Sequence, residues 1–590
     1  MKIQLLKRII LSLLLIAIVS CSDTGQRKVI ILETTDVHGV ILPYDFIEKN
    51  ELKTSLAGVA GYLKQPSINR DELVLLDNGD NLQGQPGEYY YNFIDTLSPH
   101  INSQVMNDMG YDAGTVGNHD IEAGHSVYDR IRKEYNFPLL AANAVDIKTG
   151  EPYFEPYTII IRNKLKIAVL GLVTPSIPDW LPPELYSGIE FMEMVETAKK
   201  WMPEILRKKP DIVVGLFHSD WDKDYDGSAG DNHFDENGSA AVAYEVPGFD
   251  VIFNGHDHAL ANEKIINSAG DTVLILDGGS RAEKIAYAAI TVSGKKGNGN
   301  RSVTARGSII DVKDYQADKE FLEKFATNEK AIKSYVNKVI GESTSTISSR
   351  DSFFGSSAFT DMIHSVQLEV SGADISFSAP LSFDVEIEKG PVTVSDMFKL
   401  YRFENMLYTM KLSGGEILKY LEFSYSLWYN TMKGKNDHLI NFRTGSDGKP
   451  VMLNNRGRLR NQSYNFDSAA GIDYTVDVSK PAGSRITISG FSDGQPFETD
   501  KMYRIAVNSY RGNGGGGHFF EGVGFTPEEL RSRLISSTEK DLRYYILGSI
   551  EKRKSINPLP LNNWKIIPED WQNAAKQKDY ILLFGNNDRR

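Results

Sequence analysis

Between residues 28 and 312, short apolar runs alternate with longer amphipathic stretches, the pattern of an α/β domain. The clearest runs read as strands: KVIILE (28–33), LVLLD (73–77), KIAVLGLV (166–173), DIVVGLF (211–217) and DVIF (250–253). From Asp318 to Gly341, Phe321, Phe325, Ile332, Val336 and Val339 recur among charges. That spacing predicts a linker helix ended by Gly341. A second α/β segment follows, with ADISFSAP (373–380) and MLYTMKL (406–412) as strands and GGEILKYLEFSYSLW (414–428) as a helix. The end is polar and reads as a fraying tail. The expected division is therefore a first α/β domain (28–312), a linker helix (313–344), a second α/β domain (345–568) and a tail (569–590).

Composition changes this picture little. A chain of 590 residues is too long for one core. Its apolar content of 41% and charged content of 24% are ordinary for a globular protein. The net charge of −13 argues against a nucleic-acid polymer as partner. A small anionic substrate stays open, because a bound metal can override the global field locally. The N-terminus adds more. Lys2, Lys7 and Arg8 precede an apolar stretch, Ile9 to Val19. It is too short to span a bilayer and has the form of an export signal. The sequence IVSC resembles a bacterial lipoprotein box, in which cleavage leaves Cys21 for lipidation. Cys21 is the only cysteine of the chain, so internal disulfides and thiolate clusters are excluded. The expectation is a lipoprotein signal over 1–21 and an exported chain, periplasmic or at the cell surface, tied to a bacterial membrane by its N-terminus.

Candidate chemistry stands just past the predicted strands. After KVIILETT come Asp36 and His38; after LVLLDNG comes Asp80; after AGTV comes GNHDIE, with Asn118, His119 and Glu122. DIVVGLF is followed by His218, and DVIF by NGHDHA with His256 and His258. If DVIF is a strand, alternation sets His256 and His258 on one side of its end. A metal site, a proton relay or no role at all would each fit that pair alone. Five strand ends carrying Asp, Asn and His point instead to one converging site, since ligands of open α/β sheets bind beyond the carboxyl ends of strands. His100, His125, His233, His364, His438 and His518 lie outside this pattern and read as structural.

Taken in order, D-x-H, GD, GNH[DE], H and GHxH resemble the calcineurin-like metallophosphoesterase family. The resemblance implies an N-terminal β-sandwich flanked by helices and two divalent metal ions, with Mn, Zn, Fe or Co all compatible with imidazole and carboxylate ligands. Carried over, one ion is held by Asp36, His38, Asp80 and His258, and the other by Asp80, Asn118, His218 and His256, with Asp80 bridging. It implies that His119 stabilises the transition state and acts as general acid, with Glu122 orienting its ring.

The second half narrows the substrate. SAPLSFDVEIEKGPVTVSDMFKLYRFENMLYTMKLSGGEI, SYNFDSAAGIDYTVDVSKPAG, AVNSYRGNGGGG and NPLPLNNW look like the C-terminal domain of 5′-nucleotidases, in particular the bacterial 2′,3′-cyclic-nucleotide 2′-phosphodiesterase/3′-nucleotidase branch. That resemblance implies a nucleobase held between Phe403 and Tyr510, with Asn405 near the base or ribose. Gly514–Gly517 lacks the Gly-Lys-Ser/Thr of a phosphate loop and is expected to let the chain come close to the ligand. Some 5′-nucleotidases carry an arginine after the SAPLS-type strand, whereas SAPLSFDVEIE has none, which favours the cyclic-phosphodiesterase branch. The expected protein is a monomeric, metal-dependent hydrolase of 2′,3′-cyclic and 3′-nucleotides. A 5′-nucleotidase or UDP-sugar hydrolase, a sulfur-ester hydrolase on a related dimetal site, and a nucleotide-binding surface lipoprotein without turnover are the rivals.

Overall fold

The computed structural model describes residues 26–223, 225, 238–294 and 302–585. Cys21, the signal segment and His233 lie outside the described residues. The predicted N-terminal strands form at Arg27–Thr34, Leu73–Asp77, Leu165–Val173, Ile212–His218 and Val251–Asn254. They belong to two six-stranded sheets. The first contains Arg27–Thr34, Leu73–Asp77 and Ala113–Thr115 as parallel neighbours, and the second contains Leu165–Val173, Ile212–His218 and Val251–Asn254 likewise. Parallel strands covered on both faces read as unbroken apolar runs, which is why they stood out. Ile31, Val74 and Leu76 of one sheet pack against Val169, Val214 and Phe253 of the other, making the sandwich core. Helices cover the outer faces, with Val195, Ala198 and Met202 of helix Met194–Arg207 on the second sheet.

The linker helix runs from Lys319 to Val336, capped by the Asp318 side chain. It docks on the first domain through Phe321, Phe325, Ile332 and Val336. It ends at Asn337, before the expected Gly341. Val339, expected on its apolar face, is 58% exposed and begins a strand, Val339–Ser343, paired with Gly390–Thr393. Gly341 serves that strand by close approach: a Cβ there would press on Ile550.

The second domain is built on a five-stranded sheet that includes Ile375–Ser378, Met502–Asn508 and Met406–Ser413. Helix Gly414–Trp428, closed by a Ser413/Glu416 capping box, packs on one face with Phe377, Met410 and Ile505. Helix Ala358–Ser371 packs on the other with Leu407 and Ala506. The tail does not fray as expected. Glu569–Phe584 is a helix that buries Ala575, Asp579, Leu583 and Phe584, and Asp579 accepts the backbone N–H groups of Leu439 (2.7 Å) and Ile440 (3.0 Å). Among the described residues no helix is long and apolar enough to cross a membrane.

Candidate active site

The parallel strands end level with one another. Thr34 lies opposite Asp77, Asp77 opposite Gly114, and Phe217 opposite Asn254. The loops leaving these ends therefore meet at one edge of the sandwich. Five of the residues singled out there have left-handed backbones: Asp36 (φ 48°), His38 (49°), Asp80 (56°), His256 (84°) and His258 (56°). That region costs an L-residue roughly 1–2 kcal/mol, so the surrounding structure must impose it. The imposition is visible. The Asp36 and His38 N–H groups donate to Gly79 and Asp80 carbonyls, both at 3.0 Å. The Asp120 carboxylate accepts N–H groups from Asp80 (2.9 Å), Asn81 (2.9 Å), Leu82 (3.0 Å) and Gly117 (2.8 Å), fastening two loops together. Burial pushes Asp120 up to about 6, with those donors opposing. The glycines of GNHD and NGHD are also explained: a Cβ at Gly117 would collide with the Asp80 carboxylate, and one at Gly255 with Thr35 and Asp36.

Strand alternation does not align His256 and His258, because the strand stops at Asn254 and both residues are left-handed beyond it. They join two different groups. Asp36, His38 and His258 bring ligand atoms within 4.8 Å of one another, and so do Asp80, His218 and His256. Asn118 belongs with the second, its Oδ1 lying 3.1 Å from His218 Nε2. His38 Nε2 and His258 Nε2 stand 3.0 Å apart. Second partners hold the rings: His218 Nδ1 lies 2.6 Å from the Asn78 carbonyl and His38 Nδ1 3.2 Å from that of Gln83.

The electrostatics ask for cations. Asp36 and Asp80 are buried, and among the described residues Asp36 Oδ1 and Asp80 Oδ2 accept no hydrogen bond. Their neighbours are imidazole nitrogens, His258 Nε2 and His218 Nε2, each at 3.3 Å. Burial opposes charge on His218, yet Asp80 and Asp36 push it up to about 10. Burial pushes His38 down to about 4. Buried carboxylates facing neutral-capable imidazoles, with lone pairs unclaimed, are a donor set that suits divalent metal ions.

His119 belongs to neither group but adjoins both. Its N–H donates to Asp80 Oδ1 at 2.8 Å, and its Nδ1 lies 2.5 Å from Glu122 Oε2. Burial disfavours its charge, but Asp80 and Glu122 outweigh that and push it up to about 10. His119, Glu122, Asn118 and His256 line a cavity of about 370 Å³ between the domains. From the second domain, Phe403, Asn405 and Tyr510 line the same cavity. The sequence-derived residues of both halves thus meet.

On the second-domain side Tyr464 stands edge-on to both rings, 6.0 Å from Phe403 and 6.4 Å from Tyr510. Arg511, fully buried, pairs with Asp467 at 3.0 Å and donates to the Tyr464 carbonyl at 2.9 Å. The glycine run makes this packing possible: a Cβ at Gly515 would press on the Tyr510 ring, and one at Gly516 would collide with Arg511. Asn405 is anchored by the Tyr401 hydroxyl at 3.3 Å. Tyr464, Asn508, Leu381 and Trp180 also line the cavity and were not anticipated. Nor were Asp120 and Asp220, whose Oδ1 lies 3.8 Å from His256 Nε2. Tyr464 and Asp120 sit inside recognised motifs, but their residue types announce no chemistry. Of the other described histidines, His364 is buried between Ser376 (2.9 Å) and Ser468 (3.0 Å).

Comparison with known proteins agrees with this geometry. Residues 29–260 match the calcineurin-like phosphoesterase family, and residues 339–522 match the 5′-nucleotidase C-terminal domain. The chain is 26% identical to the trifunctional nucleotide phosphoesterase protein YfkN of Bacillus subtilis (strain 168) over 95% of its own length, spanning 40% of that protein. It is 26% identical to a 2′,3′-cyclic-nucleotide 2′-phosphodiesterase/3′-nucleotidase of Yersinia enterocolitica, covering 94% of this chain and 91% of that one. The crystal structure of a 5′-nucleotidase precursor from Thermus thermophilus shares the fold, with a TM-score of 0.60 at 20% identity over 92% of this chain and 100% of that chain. The first domain belongs to the calcineurin-like phosphoesterases and the second to the 5′-nucleotidase C-terminal domains, a pairing that makes the chain a metallophosphoesterase-type hydrolase.

Proposed function

We propose that the chain hydrolyses nucleoside phosphates, opening 2′,3′-cyclic phosphates and then releasing phosphate from the 3′-nucleotide. One observation carries this reading: a single cavity of about 370 Å³ has His119 and His256 on one side and Phe403 and Tyr510 on the other. A nucleotide spanning it has its phosphorus beside the His/Asp groups and its base among aromatic rings. The relatives named for the cyclic-phosphodiesterase and 3′-nucleotidase reactions cover both domains. Among the described residues that line the cavity there is no lysine or arginine, and Leu381 occupies it from the SAPLS segment. Phosphate charge would then be met at the His/Asp end, which suits one phosphate rather than a longer chain.

In this reading Asp36, His38, Asp80 and His258 hold one divalent ion, and Asp80, Asn118, His218 and His256 the other. Ions held there would supply Lewis acidity toward the phosphoryl oxygens and acidify the attacking water. The chain's own part is proton delivery and positioning. Water attacks phosphorus, the P–O2′ bond breaks, and the departing O2′ takes the proton of His119. Glu122 holds Nδ1 and so fixes which nitrogen faces the cavity. In the second round the P–O3′ bond breaks and O3′ is protonated in the same way. Phe403 and Tyr510 stack on the base, which tolerates different bases, and Asn405 contacts base or ribose. The first domain (28–312) carries the chemistry and the second (345–568) the base, joined through 313–344. The signal over 1–21 would export the protein, and its cleavage would leave Cys21 to be lipidated and hold the chain outside the cytoplasm at a bacterial membrane, as a monomer. Cys21→Ala should move it from the membrane to the soluble fraction.

The test is phosphate release by the soluble chain with Mn²⁺ or with chelator, offering 2′,3′-cyclic AMP, 3′-AMP, 5′-AMP and UDP-glucose side by side. Metal-dependent conversion of the first to 3′-AMP and adenosine is expected. Preference for 5′-AMP or UDP-glucose would move the chain to the 5′-nucleotidase branch. No turnover with any metal would leave a nucleotide-binding protein.

A further inference from the structure

Trp180 has no part in the mechanism above, yet both domains fix its place. It lies between two single turns, Ile177–Asp179 and Pro183–Tyr186. Its indole stacks on the His256 ring, centroids 5.4 Å apart at 28°. Its carbonyl accepts the Asn513 side-chain N–H at 3.3 Å, three residues past Tyr510 in the second domain. Trp180 is only partly buried and lines the interdomain cavity beside His119, Phe403 and Tyr510. It thus touches the His/Asp end through His256 and the second domain through Asn513 while lining the cavity that joins them. A partly buried indole stacked on an imidazole offers that cavity a large, rigid apolar surface.

We propose that Trp180 is a specificity-determining residue that contacts the ribose and the base edge of the bound nucleotide. This rests on the nucleotide-hydrolase reading. Together with Phe403, Tyr464 and Tyr510 it gives the cavity four aromatic surfaces from two domains. Trp180 would discriminate by the presence of a nucleoside, where His119 and the His/Asp groups recognise only the phosphoryl group.

The experiment compares the soluble chain with Trp180→Ala and Trp180→Phe. In Trp180→Ala, KM for 3′-AMP should rise about tenfold, the loss of one good ring contact. The kcat should stay within about threefold and bound metal should be unchanged. Trp180→Phe should restore KM to within about threefold of the parent. A titration with adenosine in excess chelator supplies a readout free of turnover: it should quench tryptophan fluorescence in the parent and not in Trp180→Phe. An unchanged KM in Trp180→Ala, or quenching that persists in Trp180→Phe, overturns the proposal. So does loss of metal from Trp180→Ala, which would reduce the indole to a support for His256. If the parent itself turns over no nucleotide, the functional reading fails, while the adenosine titration still decides whether the indole meets a nucleoside.

Discussion

The two ends of the interdomain cavity are held by different means. At the His/Asp end, aspartates and histidines are fixed by main chain: left-handed turns, N–H bonds to Asp120, and glycines whose Cβ would strike Asp80 or Asp36. At the base end, common aromatic residues are fixed by side chains. Arg511 ties Tyr464 to Asp467. Arg543, also buried, donates to the Tyr401 carbonyl at 2.9 Å and the Arg402 carbonyl at 2.8 Å, just before Phe403. It lies over Phe398 at 4.0 Å and over Tyr89 of the first domain at 4.9 Å. The Tyr89 hydroxyl donates to Asp541 at 2.9 Å, so the base clamp is braced against the phosphate domain. On the proposed reading, the His/Asp end should tolerate almost no substitution, whereas recognition at the aromatic end should rest on shape that several residues can supply.

If that contrast is right, Asp80→Ala should be the most damaging change. On the proposed assignment it removes the ligand shared by both ions, so turnover should fall roughly 10⁴-fold or more, with metal lost as read by elemental analysis. Retained metal and activity within tenfold would break the assignment of Asp80 as the bridge. His119→Ala should keep both metals and cost about 10²–10⁴ in kcat, the range for a positioned general acid; a fully active variant would remove His119 from the mechanism.

Changes at the base end should be gentler and of another kind. Phe403→Ala or Tyr510→Ala should raise KM by about 5- to 100-fold, corresponding to roughly 1–3 kcal/mol per stacked base, with kcat little changed. A fall in kcat with KM intact would mean these rings shape the reaction rather than the binding.

The smallest effect concerns stability. Burial pushes His364 down to about 3, so the folded chain keeps it neutral where the unfolded chain, near 6.5, does not. The contribution is fully present above 6.5 and is lost as pH falls toward 3, by up to about 1.4 kcal/mol per pH unit. The gap in denaturant midpoint between the parent and His364→Asn should therefore narrow from pH 7.5 to pH 5; a pH-independent gap would contradict it.

How much of this was legible follows the same line. The strand LVLLD and the helix 414–428 were readable to the residue, because burial on both faces or a Ser413/Glu416 cap leaves a local signature. The clustering of the His/Asp groups was readable because Asp, Asn and His follow five strand ends in order, although each motif alone left other roles open. Trp180 and Asn508 were not, since neither an indole nor an amide announces a ligand by itself and only the docking of two domains brings them to one cavity. Asp120 was hidden by its role, which is to accept backbone N–H groups from loops distant in sequence. The linker's true end was hidden because Val339 continues the helical period, and only pairing with Gly390–Thr393 recruits it to a sheet. The tail misled by composition: its polar residues face water on a helix whose buried side includes Asp579.

The left-handed turns at Asp36, His38, Asp80, His256 and His258 leave a mark on descent as well as on chemistry. At each of the five positions glycine would relieve backbone strain that the functional side chain imposes. A descendant released from selection for hydrolysis would gain stability by drifting to glycine or asparagine there, while its sandwich stayed intact. In related chains of undetermined activity, those five positions would then distinguish a retired enzyme from a working one before any assay is run.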